Sequence, residues 1–153
     1  IRLARRPALR TPIENATAQL ASGSNPDPAA FRLRLALLEQ QQRGADISAY
    51  LMQLATQTQR FEMLERVSQE AQRFGFGAVE MRALERQIEL MPEPLDKLAL
   101  RLQQVQLYER QKNSAAAARL MDSLYRENPL TLGVVRAAVN YHWRNQNPAR
   151  AVD

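Results

Sequence analysis

Residues that stop helices recur along this chain at short, even intervals, and that spacing limits what it can fold into more than any other feature. Gly23, Arg43-Gly44, Gly75, Pro92 with Pro94, and Asn128-Pro129 cut it into stretches of helix length. Glycine ends a helix by adopting the left-handed conformation, and proline cannot continue one because it lacks the N–H. Between these stops Leu, Ala, Gln, Arg and Glu are in great excess and β-branched residues are few, which is what helices favour and strands do not. The fold class expected is all-α.

Start signals complete the pattern. Thr11-Pro12-Ile13-Glu14 reads as a capping box opening a short helix that ends near Gly23. Asp27 before Pro28 caps a helix running to Arg43, and Asp46 caps the next, to about Gln57. Further helices are predicted from near Arg60 to Phe74, Ala78 to Met91, Leu95 to Gln111, Asn113 to Glu127 and Thr131 to Arg144, with Asn147-Pro148 opening another. Short turns between such helices favour antiparallel neighbours. Leu33, Leu37, Leu64, Val67, Leu84, Ile88, Val105, Tyr108, Ala117, Met121, Val135 and Val139 are the expected core.

Even spacing calls for a test of internal repetition. Setting Arg110 to Ala117 beside Arg144 to Ala151 matches four of eight residues at an offset of 34, and the same offset relates Leu98 to Leu132 and Val105 to Val139. A helix–turn–helix unit of this length, with a small residue early in its second helix and a proline after it, resembles the tetratricopeptide repeat. Tyr108 matches that family's first-helix aromatic, Ala117 and Ala151 its second-helix Ala, and Pro129 its closing Pro. Arg101 and Glu80 depart from it, standing where a large apolar residue and the Ala belong, and no unit has the first-helix Leu-Gly pair. The resemblance covers residues 28 to 153, closely in the last two units and loosely in the first two. It implies a right-handed α-solenoid, in which each pair is too thin to bury its own apolar face and shares a core with its neighbours. A compact helical bundle is the alternative.

Composition removes most enzyme classes. The 153 residues contain no cysteine and one histidine, His142, so thiolate metal sites, cysteine nucleophiles and two-imidazole schemes are excluded. No acid stands three or four positions from His142, which reads as a packed imidazole. Glu62, Glu65, Glu70, Glu80, Glu85 and Glu89 are interleaved with Arg66, Arg73, Arg82 and Arg86, the usual solvated face of i, i+4 pairs. An enzyme using an unrecognised carboxylate pair remains a separate hypothesis. No cofactor or metal is expected.

The net charge of +5 is concentrated, because Arg2, Arg5, Arg6 and Arg10 have no acid among the first twelve residues. Residues 1 to 10 read as a basic tail or linker and 11 to 153 as the helical repeat domain. A nearly neutral fold argues against a nucleic-acid partner, which needs clustered cations on the fold itself; RNA binding would rest on the tail alone. No run is long and apolar enough to span a membrane, and no signal-peptide pattern is present. Beginning at Ile1, and opening a helix at Asn147, the chain reads as a piece of something longer.

What is expected instead is a binding surface on the first helices of each pair. Arg73, Arg110 and Arg144 occupy equivalent positions there, predicting a guanidinium ladder beside Gln41, Gln42, Gln69, Gln72, Gln106, Glu109 and Asn140. Amides and guanidinium groups read extended peptide or sugar backbones through hydrogen bonds, and Trp143 can stack on a sugar or anchor a peptide. Arg136 and Asn140 look like a fragment of the clamp with which some members of the repeat family hold a peptide's C-terminus; most of that clamp is absent, so the activity does not carry over. The Arg-rich, Lys-poor, cysteine-free composition is also similar to the helical-repeat regions of bacterial exopolysaccharide export proteins. That resemblance implies a periplasmic, non-catalytic scaffold docking another protein, such as a polysaccharide-modifying enzyme, with direct polysaccharide contact as the alternative.

Overall fold

Helix punctuation translates directly into structure. The computed structural model of the protein describes residues 7–92 and 94–145, and among them there are eight α-helices and no strand. They are α1 (Pro7–Leu20), α2 (Pro28–Gln40), α3 (Gly44–Gln57), α4 (Phe61–Phe74), α5 (Gly77–Leu90), α6 (Pro94–Arg110), α7 (Ser114–Glu127) and α8 (Leu132–Arg144). The chain divides between Leu90 and Met91 into two compact units, the first built from α1 to α5 and the second from α6 to α8. The basic residues before Pro7, the helix expected at Asn147-Pro148 and the match at Ala151 lie outside the described residues.

Capping chemistry explains several boundaries. The Asp27 carboxylate accepts from the Ala29 and Ala30 amides at 2.9 and 2.8 Å, satisfying two of the donors that every helix start leaves open. Asn113 does the same for Ala116 at 3.2 Å. Two expected starts differ. Asp46 lies inside the first turn of α3, where it ion-pairs with Arg43 at 2.5 Å, and Arg43 is the cap. The Thr11 box lies inside α1, which begins at Pro7 and contains Pro12. Thr58, fully buried at the end of α3, donates to Ser24 O at 3.2 Å, so this helix stops against the α1–α2 loop rather than at a glycine.

The turn inside each helix pair has the same backbone form three times. Gln42, Gly75 and Lys112 have φ of 58°, 75° and 58°. Each donates to the carbonyl three residues back (Glu39, Gln72, Glu109), while the following residue reaches back five, to Leu38, Ala71 and Tyr108. That double bond is the Schellman closure. It recurs at residues 42, 75 and 112, at spacings of 33 and 37 residues, so repetition is carried by geometry as well as by sequence. It also puts Arg73 and Arg110 at one equivalent position, two residues before the left-handed one.

Each unit has its own core. In the first, Phe31, Leu35, Leu38, Tyr50, Leu51, Leu54, Met63 and Val67 form one buried cluster, and the Tyr50 hydroxyl donates to Ala21 O at 2.9 Å. Burial pushes the Tyr50 phenol far above its ordinary range, so it stays a neutral donor. In the second, Val105, Ala117, Met121, Leu124, Val134, Ala138 and Tyr141 cluster together. Leu37, Leu64, Val67, Leu84, Val105, Ala117 and Met121 are buried as expected, while Leu33, Ile88, Tyr108 and Val135 are half-buried. Val139 is a correction: it is exposed, and α8 buries Val134, Ala138 and Tyr141 instead. Val134-Val135 and Ala137-Ala138-Val139 offer adjacent apolar stripes, and the one that wins lets Tyr141 donate to Ser114 O on α7, at 3.4 Å.

Candidate functional site

Helix periodicity gives the second unit a groove. From α6, Leu102, Val105, Gln106 and Glu109 fall on one face; from α8, Gly133, Arg136, Ala137, Asn140, Tyr141 and Arg144 do the same. Together with Met121 of α7 they enclose a depression of about 380 Å³. Its floor is apolar, from Leu102, Val105, Met121 and Ala137. Its other lining residues, Gln106, Glu109, Arg136, Asn140, Tyr141 and Arg144, are polar, with Gly133 of α8 between them.

The rim residues divide by what already occupies them. Arg144 donates to both Glu109 oxygens, at 3.2 and 3.5 Å, and the Asn145 amide adds a bond to Glu109 at 3.4 Å. Tyr141 is raised above its ordinary range by burial first, then by Glu109 and Asp122, with Arg144 opposing. By contrast Gln106, Arg136 and Asn140 are exposed, and their side chains make no hydrogen bond or ion pair with any described residue. The groove therefore presents one guanidinium and two primary amides above an apolar floor. Chemically, amides can pair with main-chain groups and a guanidinium with a carbonyl or carboxylate.

Five of the sequence-predicted positions, Gln106, Glu109, Arg136, Asn140 and Arg144, line this groove. Others do not. Arg73 and Gln69 belong to α4 of the first unit. Arg73 is held by Glu39 through both terminal nitrogens, at 3.1 and 3.2 Å, and by Glu70 at 2.7 Å. It also lies 4.2 Å from the Phe74 ring centre, and its pKa is raised, chiefly by the bond to Glu39. Arg110 is exposed at the end of α6 and does not line the groove. Trp143 points to solvent at 72% exposure, with Leu132 at 75% on the same helix.

Two features were not visible in the one-dimensional pattern. The Arg73–Glu39 and Arg144–Glu109 pairs link helices 34 and 35 residues apart, so two members of the expected ladder are tied internally to a neighbouring helix. His142 is buried and does have an acid beside it, Asp122 of α7, at 3.4 Å from Nε2. Its partner comes from another helix, which a search along its own helix misses. Among the described residues no group of three or more His, Cys, Asp or Glu side chains is arranged to hold a metal ion, and no helix is long and apolar enough to cross a membrane. Comparison with protein-family models, with curated proteins and with solved structures found no match.

Proposed function

We propose that this chain is a non-catalytic scaffold, a right-handed solenoid of the tetratricopeptide type, that binds an extended segment of another protein in the groove between α6 and α8. The observation that carries the reading is the convergence of Gln106, Arg136 and Asn140, exposed and uncommitted, over the apolar floor of one groove. The recurrent Schellman turns and the Glu–Arg links at one module's spacing support the solenoid. Several carboxylates that sequence grouped together, Glu70, Glu85 and Glu89, sit in ion pairs with arginines, which suits a solvated face better than an acid–base pair. A partner from an exopolysaccharide export complex, such as a polysaccharide-modifying enzyme in the periplasm, follows from the compositional resemblance.

A photo-crosslinking residue at position 140, in cells producing the full protein, tests the proposal. A discrete protein adduct is expected, lost when Arg136→Glu is added and absent when the crosslinker stands at exposed Glu65 of α4. The same adducts from both positions would remove the groove from the account. Polymer contact is a second reading, favoured by the exposure of Trp143 beside Arg144. Because this is the sole tryptophan, saturable quenching of its fluorescence by oligosaccharide reports that contact directly.

A further inference from the structure

Helix α8 carries a stripe of apolar side chains that the described part of its unit leaves uncovered. Leu132, Val139 and Trp143 are all exposed, and spacings of seven and four residues put them on one face of the helix. The buried face, with Val134, Ala138 and Tyr141, lies elsewhere around α8. The groove is lined from a third direction, by residues such as Gly133, Ala137 and Arg144.

Helix α6 shows what covers such a face. The 34-residue offset pairs Leu98 with Leu132, Val105 with Val139 and Glu109 with Trp143. Val105 is buried in a cluster with Ala117, Met121 and Leu124 of α7, and Leu98 packs against that cluster. The covering helix is introduced by Asn113, three residues past the end of α6, whose side chain accepts from the Ala116 amide at 3.2 Å. Asn147 stands three residues past the end of α8, at the same offset from Asn113. Pro148 behind it suits a first helical position, and Ala151 falls where Ala117 does. Both sides of the α6–α7 contact are thus written a second time.

We infer that the Val139–Trp143 half of this stripe is the docking surface for this chain's own segment from Asn147 to Asp153, with Ala151 set against Val139. The inference rests on the solenoid's repeat register and is independent of what the groove holds. Length fixes the reach: seven residues in helix span about 10 Å, enough for the roughly 6 Å from Val139 to Trp143 but not for the roughly 16 Å from Trp143 to Leu132. Leu132 therefore stays exposed to this segment's far side. A second copy of the chain is the competing occupant, and area counts against it. Stable interfaces bury about 20–30 residues a side, and the stripe offers three side chains. A segment joined to α8 through Gln146 loses no translational or rotational freedom on docking. A covered indole has no free face for a sugar, so this occupant excludes polymer contact at Trp143.

Acrylamide quenching of Trp143, the sole tryptophan, tests this in the full chain. Quenching at least twofold weaker than in a chain ended after Asn145 is expected, at every protein concentration. Ala151→Asp should raise it to the shortened chain's level. Ala149→Asp is the control and should change nothing, because its counterpart Ala115 is exposed. Methyl NOEs should link Ala151 to Val139 and not to Leu132, as others link Val105 to Ala117 or Met121. Equal quenching in the full and shortened chains would overturn the inference, and so would protection that grows with concentration, the mark of a second copy. If that happens while the Val105 NOEs are present, the repeat register stands and only the docking of this segment falls; absence of both sets of NOEs removes the register itself. Should the shortened chain not fold, the Ala151–Val139 NOE in the wild-type protein decides alone.

Discussion

Replacing Lys112 by glycine should make this protein more stable, although it removes a whole side chain. Lys112 holds φ of 58° at the turn between α6 and α7, a conformation that costs a residue with a Cβ about 1–2 kcal/mol. Glycine escapes that cost but loses about 0.5–1 kcal/mol more chain entropy on folding. The net gain therefore lies between about 0 and 1.5 kcal/mol, near 0.75 at mid-range, and Gln42→Gly, with the same φ, should match it. Gly75→Ala should lose a similar amount. Because nothing lies within 4 Å of a Cβ built at Gly75, that loss would come from the backbone alone and not from a clash. Gly44→Ala is the control, since Gly44 has no left-handed φ and starts a helix, so alanine should gain about 0.4–1 kcal/mol through the unfolded state. Urea unfolding measures all four, and native-state hydrogen exchange assigns each change to its own unit. A destabilising Lys112→Gly alongside the expected gain in Gly44→Ala would refute the left-handed turn, and with it the threefold recurrence of the closure.

Other substitutions probe packing and charge. Met121→Ala, at a fully buried position in the second unit's cluster, should cost about 2–5 kcal/mol, with lost amide protection concentrated in α6 to α8; even loss over all eight helices would contradict separate cores. A double-mutant cycle on Glu109 and Arg144, whose side chains are 26% and 63% exposed, should give a coupling of about 0.2–1 kcal/mol that shrinks in high salt. A coupling indifferent to salt would argue against an exposed pair. The Glu127 carboxyl is held below its usual range by Ser123 first and then Arg101, so the stability it contributes is present above the unfolded carboxyl's pKa and is lost as pH falls through the lowered one. Carbon-detected titration should show its midpoint rising in Ser123→Ala; an unmoved midpoint would deny the bond.

How much of this was legible from sequence depends on whether the information is local. Asp27, Gly75 and Asn113 act on residues within five positions, and their signals survived intact into structure. Helix existence was equally plain, because breakers and helix formers alternate. Partners brought from another helix were not legible: Glu39 for Arg73, Asp122 for His142, Glu109 for Arg144. The face α8 turns inward was misjudged for a related reason, since its adjacent apolar stripes are nearly equivalent in pattern and Tyr141 decides between them through Ser114. Helix faces follow from spacing, which is why Gln106 and Glu109 of α6 and Arg136, Asn140 and Arg144 of α8 fall on one groove, whereas Arg73, Arg110 and Trp143 do not.

The ties from Glu39 to Arg73 and from Glu109 to Arg144 reach only 34 and 35 positions along the chain. A polypeptide whose cross-links are that near in order can close each one while the stretch beyond is still leaving the ribosome, without waiting for a distant terminus to return. Closing each such tie in step with translation is what so modest a reach permits.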